Sequence, residues 1–232
     1  MVNKKVLKTM IEEEVSNQAI PLTHPQSVNN LSPRRRIGIL GGSFNPPHYG
    51  HLLIAEQVGC QLELDEVWLM PTATPPHAET KTTIAARHRL EMVRLAIDSN
   101  PLFKIQTIET DRGGINFTVD TLTTLQEWHP EAEFYFIIGT DSANDLHTWR
   151  DNDRLVELVN FVGVQRPGEF PYEGDYPILW IDSPTVDFSS SSIRMRCFLE
   201  QSIRYQVPDA VRYYIDAHGL YRDSHKWGSL PW

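Results

Sequence analysis

Two histidines, His48 and His51, stand three residues apart where an apolar run with helical spacing begins, at residues 52–62. Residues three apart share one face of a helix, so both imidazoles can address one ligand. Ahead of them lie Ile37-Gly38-Ile39-Leu40, Gly41-Gly42-Ser43-Phe44 and Asn45-Pro46-Pro47. These read as a short buried strand, a glycine pair that ends it without a Cβ, and a turn. A strand, a glycine turn and a helix N-terminus together make an anion site, because backbone N–H groups face the ligand and the helix dipole favours negative charge. Neither G-x-G-x-x-G nor G-x-x-x-x-G-K-[ST] is present. A His-x-x-His pair also suits a metal, but a metal site wants further ligands at known spacings. Cys60 and Cys197 are far apart and form no C-x-x-C. Phosphate chemistry is therefore the stronger reading, and no protein metal site is expected.

A second constellation lies near the other end of the chain. Ser189, Ser190, Ser191 and Ser192 precede Ile193-Arg194 and an apolar helical stretch. A serine run alone reads as linker; hydroxyls at a helix start with an arginine one turn later read as a second anion site. The two motifs carry a resemblance. GGSFNPPHYGH, residues 41–51, resembles the signature of the nucleotidyltransferases with an H-x-G-H motif, and among them that of the bacterial nicotinate-nucleotide adenylyltransferases. FSSSSIR, residues 188–194, is similar to that family's S-S-[ST]-x-x-R element. The resemblance runs from about residue 36 to about residue 221.

The resemblance implies transfer of the adenylyl group of ATP to nicotinate mononucleotide, with pyrophosphate leaving and no covalent enzyme intermediate. Catalysis then rests on positioning two polyanions and neutralising developing charge. It implies Mg²⁺ held mainly by the ATP phosphates, since Mg²⁺ seldom has an all-protein cage. His48, His51 and Arg194 are the implied catalytic residues. Gly41, Gly42, Ser43, Phe44, His48, His51, Gly139, Asp141, Arg166, Ser189, Ser190 and Arg194 are the implied ATP contacts. Gly42, Ser43, Phe44, Thr118 and Trp149 are the implied contacts of the nicotinate nucleotide, with Trp149 stacking on the pyridine and Thr118 at a helix start. Phosphate charge should favour the cationic form of the histidines. Asn45 stands where the family often has Asp, and Ser191 where Thr is common.

These residues need elements to hold them. Strands are read at residues 37–40, 66–70, 103–108, 133–138, 161–164 and 178–181. Helices are read at residues 52–62, 84–98, 117–128 (with Thr118 a candidate cap), 155–159, 189–199 and 209–218. Strands separated by helical segments mean βαβ units and a parallel sheet. The expected fold is α/β, a Rossmann-like doubly wound parallel sheet in one domain with C-terminal helices. In such sheets the ligand lies beyond the carboxyl ends of the strands. The segments there, residues 41–51, 71–89, 109–118, 139–150, 165–167 and 183–194, are also the richest in Gly, Pro, His, Arg, Ser and Thr.

The chain of 232 residues is long enough for one such domain, at 36–222, with an N-terminal extension and linker at 1–35 and a tail at 223–232. Val6, Leu7, Met10, Ile11 and Val15 have approximate helical spacing in the extension, which can pack on a second copy, so a homo-oligomer is among the expectations. No apolar run approaches the roughly 20 residues of a membrane helix, and the N-terminus lacks a secretory pattern. Two cysteines make no disulfide framework, so a cytoplasmic location is expected. A net charge of −9 argues against nucleic-acid binding. It also requires positive charge to be gathered locally around a phosphate-rich substrate, with Arg87, Arg89, Arg112, Arg150, Arg166 and Arg194 as candidates. The rival readings are another acceptor of the same superfamily (a pantetheine-phosphate adenylyltransferase or a cytidylyltransferase) and a non-catalytic nucleotide-binding module.

Overall fold

The computed structural model describes residues 34–74, 83–164, 172, 174–184 and 186–223. The described residues belong to one compact unit that begins at Arg34. The helix read in residues 6–15, the polar loop around His77, Arg166 and most of the tail lie outside the described residues.

The strands are β1 (Arg35–Gly42), β2 (Glu66–Pro71), β3 (Phe103–Ile105), β4 (Ala132–Gly139), β5 (Asn160–Val164) and β6 (Ile178–Ile181). Every pairing is parallel and the order is β3-β2-β1-β4-β5-β6. The order reverses between β1 and β4, which opens a crevice at their carboxyl ends. The main helices are α1 (Tyr49–Gln61), α2 (Ala86–Ile97), α4 (Thr118–Trp128), α6 (Asn152–Leu158), α7 (Ser190–Phe198) and α8 (Asp209–Ala217). Two one-turn helices, α3 (Ile108–Arg112) and α5 (Thr140–Asn144), lie among the loops.

Side chains alternate across the sheet because successive Cβ atoms point to opposite faces. Ile37, Ile39, Trp68, Met70, Phe134, Phe136 and Phe161 meet Val119, Leu122 and Leu125 of α4 on one face. Leu40, Val67, Leu69, Tyr135, Ile137 and Val162 meet Ala55 and Val58 of α1 and Val93 and Ile97 of α2 on the other. A strand buried on both faces reads as a continuous apolar run, and β4, AEFYFIIG, is the clearest case. Each fully buried aliphatic side chain contributes about 1.5–3 kcal/mol. A third cluster joins Met92 of α2 to Ile193 and Cys197 of α7 and Val211 and Ile215 of α8. It seats the C-terminal helices beside the carboxyl end of β1.

Two local expectations need correction. The strand read at 103–108 ends at Ile105. The Gln106 side chain accepts the Ile108 N–H (3.0 Å), and Thr107 accepts the Asp111 N–H (2.8 Å) through its carbonyl, so the chain turns into α3. Thr118 is not the cap of α4. Phe117 holds that position with extended backbone, and its carbonyl accepts the Thr121 N–H at 3.1 Å.

Candidate functional site

The segment after β1 enters the crevice and α1 leaves it. His48 occupies the N-cap position of α1 and His51 lies in its first turn. The imidazoles stack with centroids 3.7 Å apart and planes 29° apart. Helical spacing thus does bring both rings together. At Gly50, between them, a Cβ would stand 3.0 Å from Cε1 and Nδ1 of His48 and press on that ring.

The Nδ1 of His51 accepts the His48 backbone N–H at 3.2 Å. A nitrogen that accepts cannot carry the proton, so this bond selects the neutral ring with Nε2–H as donor. An imidazolium would set N–H against N–H. Stacked rings this close also resist a second positive charge. The bond thus orients the His51 ring with Nδ1 toward the backbone and Nε2 away from it.

The segment between β1 and α1 is held from behind. Phe44 is buried and left-handed, with φ +46, a conformation that costs a side-chain-bearing residue about 1–2 kcal/mol. Its ring lies under Gly42 and meets His51 edge-on at 5.0 Å. The Asn45–Pro46 bond is cis. Four side chains from elsewhere grip this stretch. Arg89 of α2 donates to the Ser43 carbonyl at 2.8 Å, and Ser190 of α7 donates to the Pro46 carbonyl at 2.8 Å. Arg194 of α7 donates to the Asn45 carbonyl at 2.9 Å, and the Tyr221 hydroxyl donates to Asn45 Oδ1 at 3.0 Å. The α1 terminus is tied as well, since the Tyr49 N–H donates to the Gln206 carbonyl at 3.0 Å. Burial lowers the pKa of Arg89 and Arg194 and raises that of Tyr221.

The serine motif is placed as read, at the start of α7, but its hydroxyls work inside the protein. Ser189 is the N-cap and accepts the Ser192 N–H at 3.1 Å. Ser190 buttresses the loop after β1, and Arg194 also donates to Ser191 Oγ at 3.0 Å. Gly41 and Gly42 end β1, with the Gly42 carbonyl accepting the Thr72 N–H at 2.9 Å. Gly139 ends β4 across the crevice, with open space where a Cβ would stand, and Asp141 follows in α5 with its side chain exposed.

Thr118 and Trp149, read for the acceptor together with Gly42, Ser43 and Phe44, lie beyond β3 and β4. Thr118 is the first residue of α4. Trp149 follows a 3-10 turn, Leu146–Thr148, and is half-buried, edge-on to Phe136 and Phe161 at 6.1 and 6.4 Å. Its ring is thus packed against the core. Arg150 lies over the Phe117 ring at 4.5 Å and faces Asp120 at 3.5 Å.

The arginine candidates separate. Arg89, one of the six candidates for local positive charge, is 1% exposed and donates to two backbone carbonyls, Ser43 and Ala73, so it faces the loop's underside. Arg112 donates to the Asn116, Thr121 and Thr124 side chains. Arg87 is exposed. Asn45 and Tyr221 were not among the site residues read from sequence. Only the departure at Asn45 pointed there, and an apolar-looking Tyr221 carried no signal.

A parallel sheet with this strand order and a histidine pair in its crevice defines a nucleotide-handling α/β protein. Residues 39–196 match the cytidylyltransferase-like family model. The chain is 51% identical over 192 residues to a Lactiplantibacillus plantarum protein named "Probable nicotinate-nucleotide adenylyltransferase", covering 83% of this chain and 90% of that one. An Enterococcus faecalis protein of the same name is 42% identical over 214 residues, 92% of this chain and 97% of that one. The chain belongs to the nicotinate-nucleotide adenylyltransferase family. Its fold is also that of Plasmodium falciparum nicotinic acid mononucleotide adenylyltransferase complexed with NaAD (TM-score 0.68, 23% identity, 81% of this chain and 97% of that one).

Proposed function

We propose that this protein transfers the adenylyl group of ATP to nicotinate mononucleotide, giving nicotinate adenine dinucleotide and pyrophosphate in NAD biosynthesis. The observation that carries this reading is the stacked His48/His51 pair on a braced loop at the β1–β4 crevice of a chain in this family.

In this reading a 5′-phosphate oxygen of the acceptor attacks the α-phosphorus of ATP. A new P–O bond forms, the bond to the β-phosphate bridging oxygen breaks, and its electron pair leaves on pyrophosphate. Negative charge builds on the α-phosphate oxygens and the leaving group. His51 donates Nε2–H to it and His48 lies beside the same oxygens. Gly42, Ser43 and Phe44 supply backbone N–H groups, and Arg194 adds positive charge. Gly41, Gly139, Asp141, Ser189, Ser190 and Arg166 complete the ATP side. Trp149 and the start of α4 at Thr118 receive the pyridine and its carboxylate, with Gly42, Ser43 and Phe44 at the junction of the nucleotides. Donors fixed before the charge appears do not have to reorganise during reaction, which is what makes such sites effective.

Mg²⁺ enters as the metal of MgATP. In this reading Mg²⁺ is held mainly by the ATP phosphates and water, since Mg²⁺ seldom has an all-protein cage. We place the reaction in the cytoplasm; among the described residues no helix is long and apolar enough to cross a membrane, and both cysteines are free thiols.

The test is pyrophosphate release with ATP and Mg²⁺, offering nicotinate mononucleotide, nicotinamide mononucleotide and phosphopantetheine separately. Release mainly with the nicotinate nucleotide is the expected result. Release with phosphopantetheine would keep the histidine chemistry and overturn the acceptor site at Thr118 and Trp149. Silence with all three in folded protein would overturn the reading.

A further inference from the structure

We infer that Arg89 is a positioning residue: its buried guanidinium pins the loop after β1 so that the Phe44 N–H is aimed out of the protein toward the phosphate site. The inference rests on the function proposed above for that loop.

Three observations carry it. Arg89 is among the most buried large side chains of the protein, at 1% exposure, though arginine is seldom fully buried. Its two terminal nitrogens reach two different segments, Nη1 to the Ser43 carbonyl at 2.8 Å and Nη2 to the Ala73 carbonyl at 2.7 Å. One planar fork thus fixes the segment leaving β1 against the segment leaving β2. Lysine has a single nitrogen on a flexible stem and cannot reproduce that fork.

The peptide plane does the rest. The Ser43 carbonyl and the Phe44 N–H belong to one trans peptide, so they point in opposite directions. Holding the carbonyl on the inner side with a charge-assisted bond turns the N–H outward. Phe44 then follows in its left-handed conformation, with its ring packed under Gly42 and against His51. The bond to Ser43 therefore orients the donor and also fixes the floor on which the His51 ring rests. Both of the described acceptors of Arg89 are neutral carbonyls, so its charge adds positive potential beneath the site without touching the ligand. Burial lowers the Arg89 pKa, and the neighbouring Tyr221, itself bonded to Asn45 in the same loop, raises it.

The experiment compares wild type, Arg89→Lys and Arg89→Met in steady-state kinetics and in amide hydrogen exchange of the ligand-free protein. The expected result is a fall in kcat of about 10–100-fold in the lysine variant, larger in the methionine variant, with KM for ATP within about threefold, as misplacement of catalytic groups by an ångström predicts. The Thr72 amide, bonded to the Gly42 carbonyl between the two segments that Arg89 joins, should exchange faster in both. Turnover within about threefold of wild type in the lysine variant, or a loss confined to KM, would overturn the inference. So would unchanged Thr72 exchange. If neither variant folds, wild type supplies the check: the Arg89 guanidinium protons should exchange as slowly as core amides, and exchange at the rate of a solvated arginine would overturn it. The exchange readouts need no substrate, so a wrong acceptor or an inactive protein would count against the proposed function and leave this test standing.

Discussion

The two halves of the proposed site are built differently. The loop after β1 is gripped by side chains remote in sequence: the donor–acceptor separations of Arg89, Ser190, Arg194 and Tyr221 are 46, 144, 149 and 176 residues. The loop before α4 is held mostly by its own neighbours. Asn116 donates to the carbonyls of Glu109, Gly113 and Gly114, and Arg112 reaches Asn116, Thr121 and Thr124, all 2 to 12 residues apart. Ile115 and Phe117 at its tip are exposed, and Gly113 and Gly114 adopt positive φ. Long-range anchors open only when the domain opens, whereas local ones open locally. The phosphate end is therefore pre-organised, and the acceptor end is the part with freedom to adapt.

Removing chemistry from the rigid half should have the largest effect. His51→Ala is expected to cut kcat about 10²–10³-fold, the cost of one pre-organised donor, while ATP binding changes far less. Equal losses in turnover and ATP affinity would mean that the rigid loop serves binding only. Gly50→Ala tests geometry without removing a donor. Its Cβ would press on the His48 ring at 3.0 Å, and kcat should fall about tenfold with the fold intact; an unchanged kcat would show that the ring position does not matter.

The adaptable half should respond in affinity. Trp149→Ala should raise KM for the acceptor about tenfold with kcat within threefold, in line with about 0.5–1.5 kcal/mol for an aromatic stack. A fall in kcat with unchanged KM would place the tryptophan on the rigid side. The smallest effect is one of pH. Glu109, buried under the acceptor loop, has its carboxyl pKa raised by burial, with Thr121 and Arg112 pulling it back. A raised folded pKa contributes stability that is complete below the unfolded value of 4.5 and is lost as pH rises through the folded value. Glu109→Gln should therefore gain on wild type in urea midpoint as pH rises from 4 to 8. A difference that stays constant over that range would contradict the burial of a titrating carboxylate.

The same contrast explains what the sequence made legible. Residues 41–51 are contiguous, so strand, turn and histidine pair could be read together, and the six strands followed from apolar runs between turn signals. The braces could not. Arg89 is one of six candidate positive charges in sequence, and only packing of α2 against the sheet turns it inward. Ser190 and Arg194 were read as site residues from their motif, but which atoms they hold depends on how α7 docks through Ile193 and Cys197. Tyr221 reaches Asn45 from the far end of the domain. The helix at Ile108–Arg112 replaced the end of a strand because side-chain and backbone acceptors around Gln106 and Thr107 outweighed an apolar run.

The measurement closest to the central claim is residue-resolved hydrogen exchange of the ligand-free protein, repeated with nicotinate mononucleotide. The hydrogen-bonded amides of His48, Tyr49, His51 and Leu52, where the loop after β1 enters α1, should already be protected to nearly the level of β1 and β4 without ligand. Those of residues 113–118 and 146–150 should exchange faster and gain protection when the nucleotide is added. A loop after β1 that exchanges as fast as the acceptor loops, and slows only with ligand, would contradict the account.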